Sequence, residues 1–173
     1  MKTKKTNKRA YLDDFILNEQ GQYEYKGIIY KIQNTDFELK SLIIMLVLSF
    51  VCIIAGGIIP FSGSMHAFYI IMPYIVEIVL FGLLSYAFFE FCTHYKELRE
   101  YIYKKSYEKF KPYTSILIGN MGLSVICTLV YSVFNGFEVW AIVYVGLHVI
   151  AFILIRKFSA DMNELKFDKI SLK

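Results

Sequence analysis

The chain alternates long apolar runs with polar segments. Four runs carry few or no charged residues, and they lie at 41–59, 67–91, 113–134 and 137–155. A helix needs roughly 20 apolar residues to cross the hydrocarbon layer of a bilayer. The pattern therefore predicts an all-α membrane protein, a four-helix transmembrane bundle with three connections between its helices.

Glycine and proline mark the ends of these runs. Gly56 and Gly57 come near the end of the first run and Pro60 closes it, while Asn135 and Gly136 form a tight turn between the third and fourth runs. Pro73 lies inside the second run, where it removes one helical hydrogen bond and predicts a kink. The first and last connections are therefore short.

The segment before the first run, residues 1–40, predicts a small appendage. Apolar residues recur at helical spacing over 10–17, which predicts a short amphipathic helix. Residues 23–32 alternate between apolar and polar side chains around Lys26 and Gly27, which predicts a β-hairpin. A lone hairpin is marginally stable in water, so we expect it to pack on the membrane domain or on a partner protein. Residues 156–173 are interpreted as a charged tail.

Lysine and arginine predict the topology. The amino-terminal region holds eight of them, residues 92–112 hold six and the tail holds five, which accounts for all 19 in the chain. Positive charge favours the cytoplasmic side of short flanking segments, so both termini are expected in the cytoplasm and the protein in the plasma membrane. The same rule explains the first basic cluster, which would also attract anionic lipid headgroups. Its members are Lys2, Lys4, Lys5, Lys8 and Arg9.

Composition supports this class of protein. Apolar residues make up 56% of the 173 residues, too many for an ordinary soluble domain, and the length suits one membrane domain. The net charge of +4 is explained by topology, so nucleic acid is not expected as a partner. The lipid bilayer is the expected environment. Beyond the bilayer, the expected partner is another membrane protein or a second copy of the chain.

Polar residues inside the runs are the candidate site. Glu77 and His148 lie at similar depth near the membrane midplane, so they could meet. The third run carries polar side chains on one helix face, among them Asn120, Ser124 and Tyr131, and Ser124 comes to the same depth. Such groups avoid lipid, which predicts an interior cluster.

This cluster has two open interpretations. Its members could hold helices together by hydrogen bonds, or Glu77 and His148 could form a proton-carrying or ligand-binding site.

Two more specific kinds of site, a catalytic triad and a metal site, lack support in the sequence. Ser124, His148 and Glu77 have the residue types of a catalytic triad, but no nucleophile-elbow sequence surrounds the serine, so no catalytic residue is assigned. The chain also lacks paired metal-ligand spacing, and no metal or cofactor is predicted.

Two stretches carry a resemblance to a family. The first runs from Gly57 through Pro60 and Met65 to Glu77, and the second is Leu-Arg-Glu-Tyr-Ile-Tyr at 98–103. With the tyrosine-rich segment near the amino terminus, they resemble uncharacterised small four-span membrane proteins of Gram-positive bacteria. The resemblance covers most of the chain, and it implies the four-span fold and no particular activity.

Three functions follow as hypotheses. The first is a non-enzymatic accessory or regulatory subunit of a membrane complex, since the sequence lacks catalytic motifs and its appendage is too small to fold well alone. The alternative is a small oligomeric transporter or proton-coupled carrier centred on Glu77 and His148. An intramembrane enzyme is the third hypothesis.

Overall fold

The computed structural model describes residues 15–18, 20–33 and 38–172. Four helices in this part of the chain are long and apolar enough to cross a membrane, which confirms the four-helix prediction. The helices are α1 (Leu39–Ile58), α2 (Ser62–His66), α3 (Phe68–His94), α4 (Glu100–Lys105), α5 (Tyr107–Asn135) and α6 (Val139–Asn163). Of the long helices, α1 packs mainly on α6 and α3 packs mainly on α5, while α5 also packs on α6.

Short strands gather at one end of the bundle, which we call the sheet end. They are β1 (Phe15–Leu17), β2 (Tyr23–Tyr25), β3 (Ile28–Ile32), β4 (Leu98–Arg99) and β5 (Phe167–Ser171). Strand β1 pairs antiparallel with β2, and Gly21 supplies a positive φ of 75° in the turn between them. Strand β3 is the centre of a second sheet, antiparallel to both β4 and β5.

The predicted hairpin at 23–32 is wrong. Strands β2 and β3 lie in different sheets, and each finds its partner elsewhere in the chain. The short segment around Lys26 and Gly27 passes from one sheet to the other, fastened by the Tyr25 hydroxyl, which donates to the carbonyl of Ile28 at 3.0 Å. Pairing with β5 gives β3 five partner residues, more than β2 could offer.

Two further boundaries differ from the prediction. The predicted tail at 156–173 is not a free segment over its described part, 156–172, because α6 continues to Asn163 and β5 then pairs with β3. The predicted helix at 10–17 is wrong where it can be checked, since Phe15–Leu17 is a strand; positions 10–14 and the basic cluster at 2–9 lie outside the described residues. In both places a strand partner overrides the local pattern: the nearby β2 for β1 and the distant β3 for β5.

Aromatic packing joins the sheet to the helices. The Tyr30 ring stacks on the Tyr103 ring with 4.1 Å between centroids, and Phe167 packs edge-on against Tyr107 at 4.6 Å. Deeper in the bundle, four buried phenylalanines continue this core: Phe88, Phe91, Phe110 and Phe158. The strands therefore pack on α4 and α5, and the phenylalanine core beneath them is shared by α3, α5 and α6.

The opposite end of the bundle carries the link and the tight turn. We call residues 59–67 the link; it contains α2 and joins α1 to α3. The turn between α5 and α6 has Gly136 at a φ of 95°, which a side chain would strain. We call this the link end. It contains the smaller of two core clusters, with five buried residues that include Phe61, Ile70 and Tyr144.

Candidate functional site

The centre of the bundle holds a buried acid and a buried imidazole in contact. Glu77 is the tenth residue of α3 and His148 the tenth of α6, so each lies about 14 Å along its helix from the link end. Oε2 of Glu77 is 3.0 Å from Nε2 of His148, and both side chains have no exposed surface. The structure thus brings together the two residues that depth counting placed at one level. We call them the buried pair.

The third candidate, Ser124 on α5, completes the contact set of the acid. Its hydroxyl donates to Oε1 of Glu77, and it too is fully buried. One carboxyl oxygen therefore faces a hydroxyl and the other faces the imidazole. The acid sits between the serine and the histidine.

The other two candidates lie around this centre without joining it. The side-chain amide of Asn120 donates to the carbonyl of Pro73 at 2.7 Å, which ties α5 to α3 one turn from Glu77. Tyr131 packs edge-on against Phe61, nearer the link end. Two more polar residues of the same face, Thr128 and Ser132, donate to carbonyls of α5 itself. Much of this polar face of α5 therefore finds its hydrogen-bond partners within its own helix.

The tautomer of His148 follows from its second contact. Nδ1 lies 2.9 Å from the carbonyl oxygen of Tyr144. A carbonyl oxygen only accepts hydrogen bonds, so Nδ1 carries a proton. Nε2 then presents either a lone pair, in the neutral ring, or a second proton, in the imidazolium.

This tautomer fixes the proton count of the buried pair. If Nε2 and Oε2 both lacked a proton, two lone pairs would oppose each other at 3.0 Å. One proton on either atom removes that repulsion and leaves the pair without net charge. Zero net charge also avoids the large cost of a lone ion in an apolar interior. The two atoms lie within hydrogen-bonding distance, but neither makes a hydrogen bond of good geometry.

Aromatic rings and a glycine enclose the imidazole. The Tyr144 ring lies 4.0 Å from the His148 ring between centroids, and the Tyr74 ring lies 6.5 Å away. On the α1 side Gly56 approaches so closely that an added Cβ would stand 2.8 Å from Cε1 of His148. The sequence indicated Gly56 only as a marker of the end of the first run, because glycine is common where helices end.

Further titratable groups surround the buried pair. The hydroxyl of Tyr144 is buried without a hydrogen-bond partner of good geometry. Tyr74 on α3 faces the imidazole, and Cys127 on α5 packs beside Tyr144 with its thiol free. Glu77 and His148 are the only carboxyl and imidazole groups classed as buried in the described part of the chain. The site can therefore hold one proton in a dry, aromatic environment.

The arrangement differs from a catalytic triad. In a triad the histidine lies between the nucleophile and the acid. Here the acid lies between Ser124 and His148, and Nδ1 of the histidine is occupied by a backbone carbonyl. Within the described residues, no three histidine, cysteine, aspartate or glutamate side chains cluster as a metal site would need.

Comparison with known proteins adds no relative to this description. The chain matches no protein-family model, no curated protein and no solved structure.

Proposed function

We propose that this chain is a small non-enzymatic regulatory protein of the plasma membrane, in which the proton of the buried pair controls how α3 and α6 are held together where their side chains meet across the bundle core. The observation that carries the proposal is the contact between Oε2 of Glu77 and Nε2 of His148 in a site without exposed surface. An ionisable side chain at such depth is costly unless it has a partner, and membrane proteins retain such groups mainly for function.

The proposed switch follows from the proton count. With one shared proton the pair is neutral and joins α3 to α6. Loss of that proton places a carboxylate against a lone pair, and gain of a second proton leaves an uncompensated imidazolium, so either change favours separation of the two helices. A change in bulk pH that reaches the site would thus be converted into a change in helix packing.

Charge distribution supports the proposed orientation. The link and the turn at 136–138 contain no lysine or arginine, whereas described residues at the sheet end include Lys31, Lys96, Arg99, Lys104 and Lys105. The positive-inside rule then places the sheet end in the cytoplasm and the link end outside. The proposed orientation has both chain termini in the cytoplasm.

Infrared difference spectroscopy on the protein in nanodiscs tests the switch. Spectra are compared over the range from about pH 5 to pH 8, and we expect a carboxyl band that differs between the two ends of that range. Glu77→Gln should abolish this band. Glu90→Gln is the matched control, because that acid lies on the same helix near the sheet end and bonds to Lys105. A Glu77 band that stays constant over this range overturns the proposal and leaves the pair as structural glue.

The regulatory function requires a docking surface, and the β1 and β2 ribbon offers one. Ile16, Leu17 and Tyr23 are each at least half exposed there, away from the apolar faces of the long helices. Tyr25 and Tyr30 are used inside the protein, because Tyr25 is buried and Tyr30 stacks on Tyr103. Tyr23→Ala should therefore weaken co-purification of a membrane-protein partner while the fold is kept. Equal recovery of the partner with wild type and Tyr23→Ala would exclude docking through this ribbon.

A proton-coupled carrier is the second candidate, and Pro73 favours it. The proline lies one turn from Glu77 inside α3, where it cannot donate a helical hydrogen bond, so α3 can bend beside the buried pair. A carrier predicts proton flux into liposomes that depends on Glu77. Flux that Glu77→Gln abolishes would favour the carrier over the regulatory protein, and absence of flux in wild type would exclude it.

A further inference from the structure

The link folds over the bundle near the buried pair. Helix α1 ends at Ile58, only two residues beyond Gly56, whose backbone touches the imidazole of His148. Helices α3 and α6 extend about 14 Å beyond the buried pair in the same direction. The space that a longer α1 would fill is occupied by the link.

Phe61 is the side chain of the link that closes this space. Only 1% of its surface is exposed, although its neighbours Pro60 and Ser62 are exposed. Its ring centroid lies 5.3 Å from that of Tyr144, the residue whose ring packs against His148. A single layer, Phe61 followed by Tyr144, therefore covers the imidazole on the link side.

Two sets of hydrogen bonds hold the link in place. The hydroxyl of Ser64 donates to the carbonyl of Phe61 at 2.7 Å, which shapes the link internally. Between the link and the residue that precedes α6, the backbone N–H of Ser62 donates to Oε2 of Glu138 at 3.2 Å. Glu138 thus fastens the link from outside the bundle.

The sheet end offers no comparable route. Between the buried pair and that end lies the larger core cluster, with Phe88, Phe91 and Phe158 each no more than 4% exposed. Water that reaches the buried pair by the shortest path passes the five-residue cluster around Phe61.

We infer that the link is a gate, and that movement of Phe61 away from Tyr144 admits water to the buried pair from the link end. The inference rests on the proposed function for its purpose, because a proton switch needs an access route. It deepens that function by assigning the side from which the proton enters. Glu138 is the latch that holds the gate closed.

Thiol labelling tests the gate without reference to proton binding. Cys127 packs against the cluster of Phe61 and Tyr144, so it reports water at this position. Cys52 and Cys92 are replaced by alanine, and a membrane-impermeant maleimide is added to reconstituted protein from the link side. Phe61→Ala should raise the labelling rate of Cys127 about tenfold or more, because it removes the covering ring. Phe68→Ala is the matched control, since that ring is 70% exposed.

A second pair of variants removes the latch and keeps the covering ring. Glu138→Ala should also speed labelling of Cys127, and Glu138→Gln should keep the slow rate because its amide oxygen still accepts from Ser62. These variants, with Phe61→Leu, carry the test if Phe61→Ala fails to fold.

The outcomes separate the gate from the switch. Unchanged labelling of Cys127 in folded Phe61→Leu and Glu138→Ala overturns the gate. Faster labelling together with a Glu77 infrared band that stays insensitive to pH supports the gate and contradicts the proposed switch. Faster labelling from the sheet side alone also overturns the gate, because it places the route at the other end.

Discussion

Tyr144 holds His148 in two ways, by packing its tilted ring against the imidazole at 4.0 Å between centroids and by accepting a hydrogen bond from Nδ1 through its backbone carbonyl at 2.9 Å. The carbonyl contact belongs to the main chain of α6, so it survives any substitution of the tyrosine side chain. The tautomer of His148 is therefore set by helix geometry, whereas the ring position depends on the phenol.

Loss of one member of the buried pair should destabilise the fold more than a neutral replacement that keeps polar atoms. His148→Ala leaves the Glu77 carboxyl facing a cavity, and we expect a loss of about 3–5 kcal/mol, typical of a broken buried pair. Glu77→Gln retains an acceptor and a donor beside His148, so its cost should be smaller. Reversible unfolding in mixed detergent measures both. Equal costs for the two variants would contradict a coupled pair.

A methyl group at position 56 should disturb the imidazole. Its carbon would stand 2.8 Å from Cε1 of His148, closer than carbon atoms pack, so Gly56→Ala should cost about 1–3 kcal/mol through overpacking. Gly146→Ala on α6 is the control, because nothing lies within 4 Å of its added carbon. That control should be neutral or stabilising by up to about 1 kcal/mol, as alanine favours helix. The same unfolding assay compares them, and similar values for both would show that Gly56 is not a contact point.

The β5 strand should contribute to stability through one aromatic residue. Phe167 packs edge-on against Tyr103 and Tyr107, at 5.3 and 4.6 Å between centroids. Phe167→Ala should therefore cost about 2–4 kcal/mol and increase hydrogen exchange in β3. Ile170→Ala on the same strand should cost clearly less, since that side chain is 39% exposed. A free tail would instead show no effect of either change.

The ion pair of Lys31 and Glu97 gives a pH dependence at the sheet end. Nζ of the lysine lies 2.7 Å from Oε1 of the glutamate, and this hydrogen bond holds the pKa of Glu97 below its ordinary value of 4.5. The folded state thus binds this proton less tightly than the unfolded state. The contribution is present above about pH 4.5 and is lost as pH falls through the lowered pKa.

NMR titration of Glu97 checks this sign. Lys31→Gln should raise the pKa of Glu97 toward 4.5. Lys96→Gln serves as the control because that lysine is exposed beside Glu97 in the chain. Because the carboxyl is on the surface, salt should reduce the difference between wild type and Lys31→Gln. A pKa that Lys31→Gln leaves unchanged would show that the ion pair is not formed in solution.

The four long helices were predictable because each is a local property of a continuous apolar run. The sheet of β3, β4 and β5 was not, because its strands lie far apart in the chain. Tyr30 pairs with Lys169, and no local pattern near either residue indicates the other. The alternation at 23–32 was a true signal of strand, and only its pairing was misassigned.

The buried pair was partly predictable for a related reason. Depth along a helix follows from residue count, and Glu77 and His148 occupy equal positions in α3 and α6. Which atoms meet depends on helix rotation, which the sequence does not report. The roles of Gly56 and Phe61 require the positions of α1 and the link, so they emerged only from the packed structure.

The sheet of β3, β4 and β5 also constrains the order of biosynthesis. Strand β3 leaves the ribosome before any of the four long helices, but its five-residue partner β5 follows the last of them. While the long helices are being made, β3 therefore has an unpaired edge, which is a ready template for pairing with another chain. Closure of this sheet marks the moment at which the four-helix bundle has been made, and a chain that stalls before β5 keeps this edge open.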